Sequence, residues 1–200
     1  MTDIFKERSK DYDANDMIKQ LSSAIGSCII ENVELNEQMH VLDFGAGTGL
    51  ISSQIAPYVE KITAVDISQS MLDKLIAKQK STDKVQTLCH DITIKPIGKK
   101  YDLIMSAMAM HHVEDTDNLV KRFSDHLKPG AKIALADLDE EDGSFHPKGM
   151  EDVYHDGFER NKFQATLEKH GFKDINFETA HTINGDTRPY PIFLALATKA

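Results

Sequence analysis

The sequence predicts a doubly wound α/β fold on a mostly parallel sheet. Three observations carry that prediction. Short apolar runs with strand character alternate with amphipathic stretches from residue 40 onward. The first run, Val41-Leu42-Asp43-Phe44, passes into a glycine-dense turn, Gly45-Ala46-Gly47-Thr48-Gly49, after which a helical pattern starts at once. A second run, Lys61-Ile62-Thr63-Ala64-Val65, ends in an acid, Asp66, at the separation from the glycine turn expected of a nucleoside-binding unit.

Each element has a local cause. Ile18, Leu21, Ile25, Ile29 and Val33 recur every three or four residues and predict a helix over 16–33. A strand over 40–44 leads through the glycine turn to a helix over 49–57, and a strand follows over 61–66. Ser68 is placed to cap a helix over 69–79 that carries Met71, Leu72 and Leu75. Strands over 84–89 and 101–106 come next, then a helix over 115–127. Leu127-Lys128-Pro129-Gly130-Ala131-Lys132 reads as the turn before a strand over 132–138. A helix over 160–170 ends at Gly171, a residue suited to the left-handed position after a helix. Two last strands, 174–182 and 191–198, are joined through Gly185-Asp186 and Pro189. No repeat or low-complexity segment interrupts the pattern.

Composition narrows the function classes. Two hundred residues suit one domain with one core, and the formal net charge of −9 disfavours a nucleic-acid backbone as ligand. Lys95, Lys99 and Lys100 form the nearest approach to a basic cluster and read as a solvated loop. Cys28 and Cys89 fit neither a disulfide framework nor a metal-ligand spacing, and both are expected to be small buried hydrophobes. Charge from Asp3 onward predicts no signal peptide. No apolar run approaches the roughly 20 residues of a membrane span. A cytoplasmic protein is expected.

The chemistry concentrates at the strand ends. Glycines permit tight turns and close approach of a ligand to backbone. Asp66 is placed to accept hydrogen bonds from a ribose diol. The spacing Gly45-x-Gly47-x-Gly49 departs from the Gly-x-Gly-x-x-Gly of dinucleotide sites, and Asp43 two residues earlier would repel a pyrophosphate. It suits a ligand with positive charge, such as an amino group or a sulfonium. A glycine turn serving only packing, and a dinucleotide enzyme, are the competing readings.

Asp43-Phe44-Gly45-Ala46-Gly47-Thr48-Gly49 resembles motif I of the class I S-adenosylmethionine-dependent methyltransferases, and Asp66 matches that family's ribose-binding acid. The resemblance runs from about residue 40 to 199. It implies a Rossmann-like, seven-stranded, mostly parallel sheet in which the antiparallel last strand inserts between strands five and six. It also implies S-adenosylmethionine as cofactor and S-adenosylhomocysteine as product. Gly45, Ala46, Gly47, Thr48 and Gly49 would then wrap the methionine moiety, with Asp43 ordering the loop or meeting the amino group through water. Asp66 would bind the ribose; otherwise it caps the following helix. Ile67 and Met71 would pack on the adenine, or serve as plain core. Asp91 would accept from the exocyclic amine and the Ile92 N–H would meet a ring nitrogen, unless Asp91 only turns the loop. Ser106 or Ala107 would lie near the sulfonium. His112 matches a histidine frequent at this place; the alternative for His111 and His112 is one buried, hydrogen-bonded ring and one loop residue.

The acceptor follows by elimination and position. The Asn/Asp-Pro-Pro-Tyr/Phe tetrad of exocyclic-amine enzymes and the Pro-Cys of cytosine-C5 enzymes are both missing from the sequence. With the acidic charge, this favours a small-molecule acceptor over nucleic acid. One methyltransferase domain over 1–200 is expected, with an N-terminal helical lid at 1–36 bearing Tyr12 and a cofactor-binding core at 37–200. An acceptor-site insertion is expected at 139–160, with His146, Tyr154 and His155 as candidates for orienting or deprotonating the acceptor. The bland readings are a helix docked at the sheet edge and ordinary loop residues. If the acceptor is a hydroxyl or thiol, His112 and His155 are the candidate bases. Protein or RNA methylation with a partner, and non-catalytic cofactor binding, remain the alternatives. No metal is expected.

Overall fold

The computed structural model describes residue 3 and residues 5–78, 84–147, 149–150, 152–185 and 188–200. Seven strands form one sheet: β1 (His40–Phe44), β2 (Lys61–Asp66), β3 (Val85–Cys89), β4 (Tyr101–Ala107), β5 (Leu127–Leu138), β6 (Phe172–Asn184) and β7 (Pro189–Lys199). Their order is β3-β2-β1-β4-β5-β7-β6. The first five pair in parallel, and β7 runs antiparallel between β5 and β6. The Rossmann-like architecture and the insertion of the last strand are as expected.

Five helices complete the fold: α1 (Asp16–Asn32), α2 (Leu50–Ile55), α3 (Gln69–Lys78), α4 (Thr116–Asp125) and α5 (Arg160–Lys169). The starts of α1 and α3 have visible causes. Asn15 Oδ1 accepts from Met17 N–H at 3.0 Å and Ile18 N–H at 3.3 Å. Ser68 Oγ accepts from Met71 N–H at 3.2 Å, the expected cap. Gly171 takes φ +80° directly after α5 and its short C-terminal turn. The predicted end of α3 at Gln79 and the turn residue Asp186 lie outside the described residues.

Two apolar layers sandwich the sheet. Leu42, Ile104, Ile133, Phe123 and Phe193 belong to the α4–α5 layer, all fully buried. Val41, Leu103, Met105, Ile25 and Ile29 belong to the α1–α2 layer, also fully buried. Each such side chain contributes about 1.5–3 kcal/mol relative to exposure, so neighbouring strands are held in fixed register. The carboxyl ends of β1, β2, β3 and β4 therefore line up at one end of the sheet. The strand order reverses between β1 and β4, and a crevice opens there.

Two expectations need correction. Residues 127–132 are not a free turn: Leu127 pairs with Tyr101, so β5 starts there and crosses an irregularity in its register to β4. Gly130, at φ +75°, lies at that irregularity. The cysteines are not buried: Cys28 is half-buried and Cys89 exposed, both as free thiols. Cys89 ends an edge strand, where one face has nothing to cover it. No described helix is long and apolar enough to cross a membrane.

Candidate active site

The crevice is a cavity of about 810 Å³, walled by the ends of β1–β4 and the segments that follow them. Its floor is the glycine turn. Gly45 stands at φ +67°, and a Cβ there would come within 2.3 Å of Ala109 Cβ. Only glycine lets β1 pass this close to the loop after β4. Gly47 stands at φ +53° with nothing within 4 Å of its missing Cβ, so bare backbone faces the cavity. Ala46 N–H donates to Val65 O at 3.0 Å and Gly49 N–H to Ala46 O at 2.8 Å, which fixes the turn against β2.

Asp66 organises two loops at once. Its Oδ2 accepts from Gly47 N–H and its Oδ1 from Ser68 N–H, both at 2.8 Å. The cap reading and the ligand reading are therefore compatible, because each oxygen keeps a second lone pair. Burial raises its pKa, against the backbone bonds from Ser68, Gly47 and Ile67 that lower it, and Asp3 nearby raises it further. Beyond the end of the neighbouring strand β3, Asp91 Oδ1 accepts from Thr93 N–H at 2.8 Å and from Thr93 Oγ1 at 2.5 Å. Its Oδ2 has no partner among the described residues, and neither has the Ile92 N–H. Ile67, half exposed, and Met71, buried, complete this end.

Of the residues expected at the site, Tyr12, Gly45, Gly47, Asp66, Ile67, Met71, Asp91, Ala107, His112 and Tyr154 line the cavity. The others stand behind it. Asp43 is 2% exposed and accepts from Ser52 Oγ at 2.6 Å, so it ties β1 to α2 and does not reach the ligand space. Thr48 Oγ1 donates to Asp13 at 2.5 Å. Ala46, Gly49 and the fully buried Ile92 shape the turns. Ser106 Oγ is buried with no partner among the described residues, one position before the lining Ala107. His146 stands outside the lining, its ring 4.9 Å from His111. His155, the second candidate base, is also outside: its Nε2–H donates to Val113 O at 2.9 Å, so the ring anchors a loop.

The N-terminal segment contributes Phe5, Arg8 and Tyr12 to the cavity wall. Three acids and bases pin this segment. Asp3 accepts from Ser68 Oγ at 2.8 Å and Ser70 N–H at 2.9 Å. Arg8 pairs with both oxygens of Asp152, at 2.9 and 3.1 Å. Asp13 holds Thr48 and takes Lys78 Nζ at 2.6 Å. None of Asp3, Arg8, Asp13, Met150 or Asp152 belongs to a motif that marks it in the sequence as a site residue. Arg8 and Asp152 lie 144 positions apart, and no spacing rule relates them.

His112 lines the cavity beside Phe5. Its Nδ1–H donates to the Asp152 carbonyl, and its ring meets Phe5 edge-on at 5.4 Å. Burial, and then the neighbouring His111, hold its pKa below the ordinary histidine value. It therefore presents a neutral ring with Nε2 unpartnered among the described residues. Among those residues, no group of three or more His, Cys, Asp or Glu side chains could hold a metal ion.

A family model described as a methyltransferase domain matches residues 17–183. The chain belongs to that methyltransferase family. The crevice of this methyltransferase domain combines open glycine backbone with an acid at a strand end. The chain is 29% identical over 146 residues to an uncharacterised methyltransferase of Schizosaccharomyces pombe, covering 64% of this chain and 51% of that protein. It is 31% identical over 136 residues to the malonyl-[acyl-carrier protein] O-methyltransferase of Priestia megaterium, covering 66% and 48%. The chain thus spans about half the length of these curated relatives. In fold it is similar to a methyltransferase in complex with the Trm112 methyltransferase activator of Haloferax volcanii. There the TM-score is 0.81 at 14% identity, over 99% of this chain and 98% of that one. It is also similar to phosphoethanolamine N-methyltransferase 2 of Haemonchus contortus, solved with S-adenosyl-L-methionine. That match has a TM-score of 0.74 at 18% identity, over 98% of this chain and 59% of that one.

The buried Asp43 gives a pH prediction for this methyltransferase domain. Burial, opposed by the Ser52 bond, pushes its carboxyl up to about 7. An exposed aspartate releases its proton near about 3.9. The folded state therefore holds this proton more tightly, and the stability it confers is lost as pH rises through the window from about 4 to about 7. Asp43→Asn keeps an acceptor for Ser52 without the charge. Its stability margin over the wild type should grow by a few kcal/mol between about pH 5 and about pH 8 in urea unfolding. A margin that is flat with pH would show that Asp43 is not held protonated.

Proposed function

We propose that this domain transfers a methyl group from S-adenosylmethionine to a small-molecule acceptor bound under the N-terminal segment. The carrying observation is that one cavity is lined both by Asp66, Asp91 and bare glycine backbone, with Tyr12 near Asp66, and by His112, Phe5 and Tyr154. When bound, the cofactor supplies a methyl group activated by its sulfonium, so no acid is needed to assist the leaving group.

The chain's own residues bind, orient and exclude water. Asp66 accepts from the ribose diol with the lone pairs its backbone bonds leave open. Asp91 Oδ2 and the Ile92 N–H serve the adenine edge, with Ile67 and Met71 against the ring. Gly45 and Gly47 flank the methionine part, and the uncompensated acids favour a cationic ligand. Ala107, which lines the cavity, would lie beside the reacting methyl group, with Ser106 buried one position behind it. Of the expected 1–36 lid, α1 is core, since Ile25 and Ile29 are fully buried on the sheet. Residues 5–14 act as the lid, with Phe5, Arg8 and Tyr12 lining the cavity; closure would place the acceptor in a dry, oriented setting.

His112 takes the acceptor's proton through Nε2. Its Nδ1–H, fixed on a carbonyl, sets the tautomer that leaves this lone pair available. His112→Gln should leave S-adenosylhomocysteine affinity intact while slowing turnover of an acceptor found by screening by at least about tenfold. Unchanged turnover would remove the base.

A second reading, methylation assisted by a protein partner, has one observation in its favour. Ile67, Ile76 and Ile94 are 48%, 47% and 67% exposed around the open β3 edge. That reading expects weak cofactor binding by the isolated chain. Tight binding by the chain alone counts against it.

A further inference from the structure

Asp137 is a buried carboxylate to which the reading above gives no role. It lies at the carboxyl end of β5 and is fully buried. Its Oδ2 accepts from Met110 N–H at 2.9 Å and His111 N–H at 3.2 Å. Its Oδ1 accepts from Leu138 N–H at 2.8 Å and stands 2.7 Å from His111 Nδ1. Four donors exhaust the lone-pair sites of a carboxylate. His111 itself is 2% exposed. Outward from this pair, the His111 carbonyl accepts from Tyr154 N–H at 3.0 Å, and the next residue, His112, donates to the Asp152 carbonyl. Asp152 in turn holds Arg8 of the N-terminal segment.

We infer that Asp137 and His111 are positioning residues for the acceptor half of the crevice. The carboxylate fixes the 110–112 turn, and that turn sets the pose of the His112 ring and of the segment bearing Asp152 and Tyr154. The inference rests on the proposed role of His112 and adds the machinery behind it.

The pair also decides where charge resides among three adjoining rings. His112 lies 4.1 Å from His111, and His146 lies 4.9 Å from it and 6.2 Å from His112. Burial opposes protonation of His111, but Asp137 outweighs it and the pKa is raised, while that of Asp137 is lowered. Burial and the His111 charge push His146 down to about 4. The other charged groups facing the cluster are Asp152 and Arg8, which hold one another. One proton therefore sits on His111, locked to Asp137, and His112 stays a neutral acceptor. A buried ion pair is a poor device for stability alone, since apolar residues of similar volume serve as well. Its value here is a turn held by charge at the point where a ring must face the acceptor.

Nitrogen-resolved NMR of histidine-labelled protein tests this. At neutral pH the wild type should show His111 doubly protonated and His112 neutral with its proton on Nδ1. His111→Gln keeps a donor for Asp137 and removes the charge. It should move the His112 titration to higher pH, with S-adenosylhomocysteine affinity within about threefold of wild type. Asp137→Asn should lose the single His112 tautomer. A neutral His111 in the wild type, a His112 titration unmoved in His111→Gln, or a preserved tautomer in Asp137→Asn would each overturn the proposal. If Asp137→Asn does not fold, the wild-type spectrum and His111→Gln still decide. Failure of the wild type to bind S-adenosylhomocysteine would instead strike the cofactor-site reading, and the spectra would report on the pair regardless.

Discussion

Asp66→Ala is expected to lower affinity for S-adenosylhomocysteine by about 100-fold or more, the equivalent of two charge-assisted hydrogen bonds of about 1.5–3 kcal/mol each. The loss has two parts. The ribose would lose its acceptor, and the Gly47 and Ser68 N–H groups would lose the carboxylate that orients both loops. The folding cost should be smaller than the binding cost, because Asp66 is only partly buried and its own desolvation is relieved on removal. Calorimetric titration beside urea unfolding separates the two. Affinity within about threefold of wild type would show that Asp66 is a helix cap and no ligand group.

Gly45→Ala should destabilise the domain by about 3 kcal/mol, from left-handed backbone strain and overpacking together. The new Cβ would stand 2.3 Å from Ala109 Cβ, so the end of β1 or the loop after β4 would have to shift. Gly47→Ala provides the contrast. Its Cβ meets nothing of the protein within 4 Å, so the folding cost should be limited to about 1–2 kcal/mol of backbone strain. The methyl group enters the cavity, however, and cofactor affinity should fall by at least about tenfold. Urea midpoints and titrations on the two variants check this crossing pattern. Equal effects of both variants on both measurements would contradict the assignment of Gly47 backbone to the ligand wall.

The sheet was legible in the sequence because its strands are short apolar runs bounded by strong turn signals, and because α1 repeats Ile18, Leu21, Ile25 and Ile29 at helical spacing. Residues 127–132 were not, since a strand entering through Pro129 and Gly130 has the composition of a turn. At the site, local chemistry was readable: a glycine cluster and an acid at a strand end announce themselves within a few residues. Long-range pairings were not. Arg8 with Asp152, Asp13 with Thr48 and Asp137 with His111 are made by the fold, from segments that share no pattern. Asp137 did leave a trace, as an acid inside the buried run Ile133-Ala134-Leu135-Ala136-Asp137-Leu138. A charge in a fully buried strand needs a partner, and that question leads to His111. His155 shows the opposite error: its position after strand five suggested a base, but a backbone carbonyl claims its Nε2–H.

Calorimetric titration of the chain with S-adenosylhomocysteine, with NAD as control, decides whether the crevice is a methyl-donor site. One site with micromolar or tighter affinity for the adenosyl ligand, and no heat with NAD, is the expected result. Binding of NAD, or no binding of S-adenosylhomocysteine by the folded chain, would contradict it.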